Sequence, residues 1–253
     1  MKDLYKYFGI NEFLFSTLKD NKIWFSNPNS FNDPFDCNVK CKYLEDLMFQ
    51  ERIHNDLRDV FNSVDNNESY FRERKISLTI ADSHETKRKE ETRRLNQELH
   101  DTVDKTGVSC FSEKMDSILM WSHYTEDHKG VCLQFNPSDK LFSEKCERMI
   151  YVDEFPNIDS KRIINEPNNF LFFTKSNEWR YESEVRVIKD SNSLHSFSPK
   201  SLIAIYFGVN CDPDDVKKIK DIINNHSQYE NVSFHKMNLS TEGFKLLPEN
   251  INN

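Results

Sequence analysis

The stretch WRYESEVRVI, residues 179–188, has the two-residue alternation that is typical of a β-strand. Because side chains along a strand point alternately to opposite faces, the four charged residues share one face and five of the others share the opposite face. The charged face carries Arg180, Glu182, Glu184 and Arg186, and the other carries Trp179, Tyr181, Ser183, Val185 and Val187. We therefore predict a strand with one face in the core and the charged face either in solvent or at a functional site.

Similar patterns outside this stretch predict an α+β domain. Strands are predicted at Leu4–Phe8, Lys22–Ser26, 108–113, 131–136, Arg148–Val152, Glu184–Ile188 within the opening stretch, Leu202–Phe207 and Val232–Met237, and helices at Asn11–Lys19, 115–128 and 212–226. Residues 44–104 are highly charged, with apolar residues spaced by three and four, which predicts a helical insertion. We expect a single catalytic domain over residues 1–253, built on a mixed, largely antiparallel sheet with this insertion.

Charge and composition exclude several classes of function. The net charge is -8, from 34 basic and 42 acidic residues, which argues against a protein that coats nucleic acid by charge alone, although a local basic groove stays open. The five glycines lie far apart, which excludes the P-loop and the glycine-rich dinucleotide fingerprint. The chain has neither an apolar run long enough to span a membrane nor a signal peptide, so we expect a cytoplasmic protein with no membrane partner.

The six cysteines are expected to be reduced thiols, because the chain is long and carries no secretion signal. Cys37 and Cys41 form the one close pair. Since no second pair of Cys or His at ligand spacing follows, a structural zinc site is not favoured, and no metal ligand is assigned.

Two segments besides the opening stretch carry polar residues with possible chemical roles. In SNPNSFNDPFDC, residues 26–37, prolines and phenylalanines hold Asn32, Asp33 and Asp36, so this is either a fixed structural turn or a binding loop. In the segment 110–135, Trp121, His123 and Tyr124 either anchor a helix in the core or stack on a flat ligand ring. His123 and His128 are five residues apart, which is not the four-residue spacing of a zinc-binding pair on a helix.

Glu182 and Glu184 have two interpretations. Arg180 and Arg186 on the same strand face would neutralise them in a plain surface ladder of charges. In a cleft, the same two carboxylates suit a reaction through an oxocarbenium-like transition state, in which a carboxylate stabilises positive charge and binds a ribose hydroxyl.

Four segments resemble, in order, the signatures of a widespread bacterial family catalogued as a domain of unknown function. They are LYKYF, FSNPNSFNDPFDC, SCFSEKMDSILMWSHYTEDHKGVCLQF and WRYESEVRVI. A more distant likeness connects the aromatic first strand, the CFSE strand with its helix, and the E-x-E pair to ADP-ribosyltransferases, including the DNA-modifying DarT toxins. This resemblance implies an ADP-ribosyltransferase-like fold in which Glu184 is catalytic and Glu182 orients the acceptor.

The resemblance also implies NAD as the substrate and a macromolecule, either nucleic acid or protein, as the acceptor of ADP-ribose. The same resemblance implies a role in phage defence or as a toxin. It also implies that a regulatory partner could control the protein. The residues that would contact NAD or support the site are Tyr5, Lys6, Tyr7, Ser26, Asn32, Asp33, Ser112, Trp121, His123 and Tyr124.

Three other functions stay open. A metal-dependent nuclease or phosphoesterase would use Asp33, Asp36, Glu182 and Glu184 as oxygen ligands for Mg²⁺. A binding module would use the aromatic and Asn/Asp loop to recognise a ligand without turnover. A cysteine hydrolase would pair Cys37 or Cys110 with His123 or His128.

Overall fold

The computed structural model describes residues 2–37, 86–154 apart from positions 88, 91, 92 and 95, and 171–252. Its centre is an eight-stranded sheet in the order β12-β11-β10-β4-β1-β3-β8-β5. These strands are β1 (Leu4–Phe8), β3 (Gly107–Ser112), β4 (Val131–Phe135), β5 (Cys146–Arg148), β8 (Glu184–Lys189), β10 (Leu202–Phe207), β11 (Ser233–Leu239) and β12 (Leu246–Asn250). Neighbouring strands are antiparallel except for β10 and β11, so the prediction of a mixed, largely antiparallel α+β fold is confirmed.

Two small sheets flank the large one. One pairs β2 (Lys22–Trp24) with β9 (Leu194–Ser196), and the other pairs β6 (Ile150–Val152) with β7 (Thr174–Ser176). The sequence analysis did not predict β7, β9 or β12. Each has little or no continuous apolar sequence, so the alternation that marks a strand is weak there.

The helices begin where the sequence offers caps. The helix Glu12–Asp20 follows Asn11, whose side chain accepts hydrogen bonds from the amides of Phe13 and Leu14. The helix Ile118–Tyr124 is capped by Ser117, and the helix Pro213–Asn225 by Asp212. Residues 96–105 are also helical, whereas most of the predicted insertion, 44–85, lies outside the described residues. No helix in the described part of the chain is long and apolar enough to cross a membrane.

The main core lies on one face of the large sheet. Residues from β1, β3, β4, β8 and β10 pack there against the helices Glu12–Asp20 and Pro213–Asn225. Val185 and Val187 of β8 belong to this core, as the alternation within EVRVI predicts. The next residue on the other face, Arg186, is fully buried as well, and it points toward the site.

The prediction of one strand across residues 179–188 was wrong for its first half. Asn177–Glu182 form a 3-10 helix, and Ser183 then adopts a left-handed conformation with φ 44° before β8 starts at Glu184. Arg180 therefore does not share a face with Glu184: its side chain lies over the Tyr151 ring and binds Asn177. Glu182 nevertheless lies on the same side as Glu184, since the side chains of both accept a hydrogen bond from Nζ of Lys175.

The predicted strand Arg148–Val152 is two strands in different sheets. Cys146–Arg148 pairs with β8, and Ile150–Val152 pairs with β7. The chain changes sheets at Met149, whose amide donates to the carbonyl of Glu184. Similarly, the strand predicted at Lys22–Ser26 ends at Trp24, and Ser26 forms an isolated bridge to Val108.

The large sheet is open between β1 and β3. Tyr5 with Ser112 is the one register pair that joins these two described strands, whereas β1 pairs with β4 along its whole length. The next pairs in the same register, Lys6 with Phe111 and Tyr7 with Cys110, are not formed. Further along β3, Val108 exchanges two hydrogen bonds with Ser26, each 2.9 Å long. The opening is thus confined to the neighbourhood of Cys110, and it positions the site.

Candidate functional site

A cavity of about 240 Å³ lies at the opening between β1 and β3. β1 lines it with Tyr5, Lys6 and Tyr7, and β3 lines it with residues 108–111. The remaining wall comes from the loop around Asn32, from Tyr124, and from a group of charged residues: Asp36, Lys175, Glu182, Glu184 and Arg186. Six separate segments therefore meet at one cavity that carries a cluster of charged side chains.

Glu184, the first residue of β8, is buried and held by two cations. Its Oε1 accepts a hydrogen bond of 2.6 Å from Nε of Arg186, and its Oε2 accepts one of 3.1 Å from Nζ of Lys175. Burial alone would raise the pKa of Glu184, but the charges of Arg186 and Lys175 outweigh burial and lower this pKa to about 2. Glu184 is therefore an anion at neutral pH.

Glu182 shares Lys175 with Glu184, but its pKa is shifted in the opposite direction. Its Oε2 accepts from Nζ of Lys175 at 2.6 Å, and its Oε1 accepts from the hydroxyl of Tyr124 at 2.6 Å. Burial raises the pKa of Glu182; Lys175 opposes this effect, and the charge of Glu184 adds to it. The net shift is upward, so the environment drives the pKa values of the two carboxyl groups apart.

Arg186 connects the β8 strand to the loop before Cys37. Its Nη1 donates to Oδ1 of Asp36 at 2.8 Å and to the carbonyl of Phe172 at 3.0 Å, while its Nη2 donates to Oδ2 of Asp36. Arg186 and the Asp36 side chain are almost completely buried. A buried guanidinium with two carboxylate partners fixes both its own orientation and that of Glu184.

Lys6 enters the cavity from the opposite wall. Its Nζ donates to the carbonyl of Cys110 at 2.9 Å, and so takes the place of the missing strand pair. The amine also lies over the rings of Phe8 and Phe111, at 5.7 and 5.0 Å from their centroids. Burial lowers the pKa of Lys6.

The structure brings most of the predicted site residues together. Those that line the cavity are Tyr5, Lys6, Tyr7, Ser26, Asn32, Tyr124, Glu182 and Glu184. Asp33, Ser112, Trp121 and His123 lie outside its wall. Ser112 still supports the site, because its hydroxyl donates to the backbone carbonyl of Glu182 at 2.6 Å.

The other three residues have structural contacts. Asp33 accepts a hydrogen bond from the Phe35 amide, as in a fixed turn. Trp121 is fully buried and donates to the carbonyl of Met115, which is the core role that the sequence left open. His123 is exposed, and its Nδ1 pairs with the Tyr181 hydroxyl at 3.0 Å.

The proposed oxygen ligands do not form a site that fits Mg²⁺. Asp33 is turned away in its own loop, whereas Asp36, Glu182 and Glu184 converge. Every carboxylate oxygen of the converging three already accepts a hydrogen bond, from Arg186, Lys175 or Tyr124. Two cations fill the space that a metal ion would need, so the donor set suits the ammonium and guanidinium groups that occupy it.

The thiols do not form a nucleophile and base pair with either histidine. Among the described residues, no contact joins Cys37 or Cys110 to an imidazole. Cys37 instead lies beside Asp36, with its Sγ 3.4 Å from Oδ1. Burial raises the pKa of both thiols, which keeps them protonated and poorly nucleophilic.

Lys175 is the site residue that the sequence analysis missed. It lies in β7, directly after the buried run 171–173, and bridges Glu182 and Glu184. The one signal was a single charge at the end of the apolar segment FLFFT. Sequence spacing did not connect that charge to the two glutamates, because the link depends on the 3-10 turn between them.

Comparisons with known proteins give a family match but no described activity. No curated protein and no solved structure matches the chain. The helix Ile118–Tyr124 lies almost entirely in the matched stretch, as do Lys175 and both glutamates of the site. That stretch, residues 120–187, matches the model of a family described as a protein of unknown function, DUF2971.

Proposed function

We propose that this protein is an NAD-dependent ADP-ribosyltransferase-like enzyme. It cleaves the glycosidic bond between nicotinamide and ribose and transfers ADP-ribose to a macromolecule, either nucleic acid or protein. The observation that carries the proposal is the convergence of Glu182 and Glu184 on Lys175 at the wall of one cavity. Two carboxyl groups whose pKa values are driven apart by their surroundings suit separate acid–base and electrostatic roles.

In this mechanism Glu184 acts as the permanent anion. When the bond between the ribose anomeric carbon and the nicotinamide nitrogen breaks, its electron pair leaves with nicotinamide, and the ribose becomes a cation. A carboxylate held ionised by Arg186 and Lys175 lies ready to stabilise that cation or to bind a ribose hydroxyl. The anion is in place before the reaction, so no reorganisation is needed as charge develops.

Glu182 takes the proton in the second half of the reaction. A nucleophilic oxygen or nitrogen of the acceptor forms a bond to the anomeric carbon, and its proton passes to the Glu182 carboxylate. The raised pKa of Glu182 makes it a better base than an ordinary glutamate, and the Tyr124 hydroxyl holds its other oxygen.

The size of the cavity suits one end of NAD. At about 240 Å³ it falls below the range of about 300–1,000 Å³ that is usual for pockets enclosing a whole drug-sized ligand, so the nicotinamide and its ribose would enter while the adenosine end lies outside. The rings of Tyr5, Tyr7 and Phe31 supply apolar contact area. Placement in the cytoplasm and a role in phage defence or as a toxin are part of the same proposal.

Nicotinamide release tests the proposal. The purified protein is incubated with NAD, alone and with nucleic acid or cell lysate, beside Glu184→Gln and a surface control, Glu230→Gln. We expect wild type and the control to release nicotinamide and Glu184→Gln to lose at least about a hundredfold in rate, a typical loss when one electrostatic group of an active site is removed. A folded Glu184→Gln protein with full turnover would contradict the mechanism. Binding of NAD without release would instead identify a non-catalytic binding module.

A further inference from the structure

We propose that Lys6 and Ser109 form an anion-binding subsite in the cavity, which takes a carboxylate or phosphate group of the ligand. Both residues line the cavity at the opening between β1 and β3. The proposal does not depend on the glycosidic chemistry, because any ligand that carries such a group would use the subsite.

Ser109 supplies the first observation. Its side chain is buried, with 2% of the residue exposed, and its Oγ has no hydrogen-bond partner among the described residues. Buried hydroxyl groups almost always have a partner, since an unpaired one loses its hydration without compensation. A serine at the wall of a cavity gains that partner when a ligand with an acceptor oxygen is bound.

Lys6 supplies the second observation. The other two cations of the cavity are neutralised: Arg186 binds Asp36 and Glu184, and Lys175 binds Glu182 and Glu184. Within the described part of the chain, no carboxylate lies within ion-pair distance of the Lys6 amine, whose hydrogen-bond acceptor is the Cys110 carbonyl. An ammonium group carries three N–H donors, so charge and donors remain for a ligand.

The Lys6 amine lies beside the part of β3 that carries Ser109. The carbonyl that Lys6 binds belongs to Cys110, the residue directly after Ser109 on β3. An ammonium and a hydroxyl at one edge of a strand provide two donors to a single oxygen anion, the combination that carboxylate and phosphate share. The Phe8 and Phe111 rings beside the amine reduce the competition from water.

Binding of inorganic phosphate and of acetate, measured by calorimetry at constant ionic strength, tests the subsite and distinguishes the two anions. We expect wild type to bind at least one of them in the millimolar range. Ser109→Ala and Lys6→Met should each weaken that binding about tenfold, because each removes one hydrogen bond to a charged group. Lys200→Met, which removes an exposed lysine paired with Glu230, is the charge control and should bind as wild type does.

Stability separates a ligand contact from a packing role. Ser109→Ala removes an unpaired buried hydroxyl, so the free protein should be as stable as wild type or more stable while its anion binding falls. This variant decides the question if Lys6→Met fails to fold. Unchanged binding by folded Ser109→Ala, or no binding of either anion by wild type at tens of millimolar, would overturn the proposal. Glu184→Gln should bind anions at least as tightly as wild type does, because it removes a negative charge from the same cavity. Retained anion binding together with lost nicotinamide release keeps this test separate from that of the proposed reaction.

Discussion

At Arg186, the cost of burying a charge is offset by partners from distant parts of the chain. Asp36 binds it through both carboxylate oxygens, Glu184 binds its Nε, and the Phe172 carbonyl accepts a further bond. Because the guanidinium cannot lose its proton, it stays charged if one of these partners is removed. The loop that carries Asp36 is therefore tied to β8 by an ion pair rather than by apolar packing alone.

Asp36→Asn should destabilise the protein strongly. The change leaves a buried guanidinium with one carboxylate partner in place of two, and breaking a buried pair in this way costs about 3–5 kcal/mol of unfolding free energy. Denaturant unfolding of the purified variant measures the loss. Asp33→Asn in the same loop is the matched control: it keeps the oxygen that accepts from the Phe35 amide and should cost less than about 1 kcal/mol. Equal losses in the two variants would mean that the Arg186 pair is not what holds the loop.

The low pKa of Glu184 predicts acid sensitivity with a definite sign. Its folded pKa of about 2 lies below the ordinary 4.5, so its ion pairs stabilise the protein above pH 4.5 and lose their effect as the pH falls toward 2. Of this contribution, about 2 kcal/mol should be gone at pH 3.

Urea unfolding at pH 6 and pH 3 measures the effect. Wild type should lose more stability between these two pH values than Glu184→Gln, which has no carboxyl group to titrate at this position. A surface variant, Glu230→Gln, should follow wild type. An identical pH dependence in Glu184→Gln and wild type would show that Glu184 is not the group responsible.

At the scale of elements, the sequence was most informative where local pattern and local structure agree. The strand Leu202–Phe207 was predicted with its observed bounds, because it is continuously apolar and is buried on both faces. The helices predicted from Asn11 and from residue 212 do begin there, because Asn11 and Asp212 have short polar side chains that accept from the first amides. The helix predicted over 115–128 is shorter, since it begins after the cap Ser117 and ends at Tyr124.

Local pattern failed where the chain turns without a glycine or proline. Residues 179–183 alternate aromatic and polar side chains as a strand does, but Ser183 is left-handed and the residues before it form a 3-10 helix. Few non-glycine residues adopt a left-handed conformation, so composition gave no warning of the turn. For the same reason the sequence identified Glu182 and Glu184 but not the Lys175 that joins them.

Substitutions at Ser183 test whether this turn builds the site. Ser183→Val should cost about 1–2 kcal/mol of stability, because a β-branched side chain is strained at positive φ. It should also reduce nicotinamide release, since Glu182 and Glu184 flank the turn. Ser183→Gly accepts the same backbone angles and should retain the activity. Stability is measured by chemical denaturation and activity by the nicotinamide-release assay, for both variants. A Ser183→Val protein with wild-type stability and activity would contradict this role of the turn.

At the scale of the whole molecule, the site and the sheet are one structural unit. The cavity is lined by β1, β3 and β8, and all three also contribute to the main core. The sequence predicted the strands of the sheet, but it could not predict the opening between β1 and β3. The composition of a strand does not show how many residues of a neighbouring strand it pairs with.

Unfolding of the site should therefore coincide with unfolding of the sheet. In Trp121→Phe the remaining tryptophans are Trp24, which lines the cavity, and Trp179, whose ring lies 4.7 Å from the Lys175 amine. Their fluorescence and the far-ultraviolet circular dichroism should change at the same denaturant concentration. A fluorescence transition well before the dichroism transition would show a site that unfolds by itself.

The sparse pairing between β1 and β3 matters for what happens when the chain is cleaved by a protease. β1, β4, β10, β11 and β12 lie on one side of this seam, and β3, β8 and β5 on the other. The chain crosses from one side of this seam to the other in the connections β1 to β3, β3 to β4, β4 to β5, and β8 to β10. These connections join the two halves of the sheet covalently. A single proteolytic nick in a surface loop leaves the halves joined by the remaining crossings. These covalent connections keep β1 and β3 from separating into two free strand edges, which would be sites for aggregation.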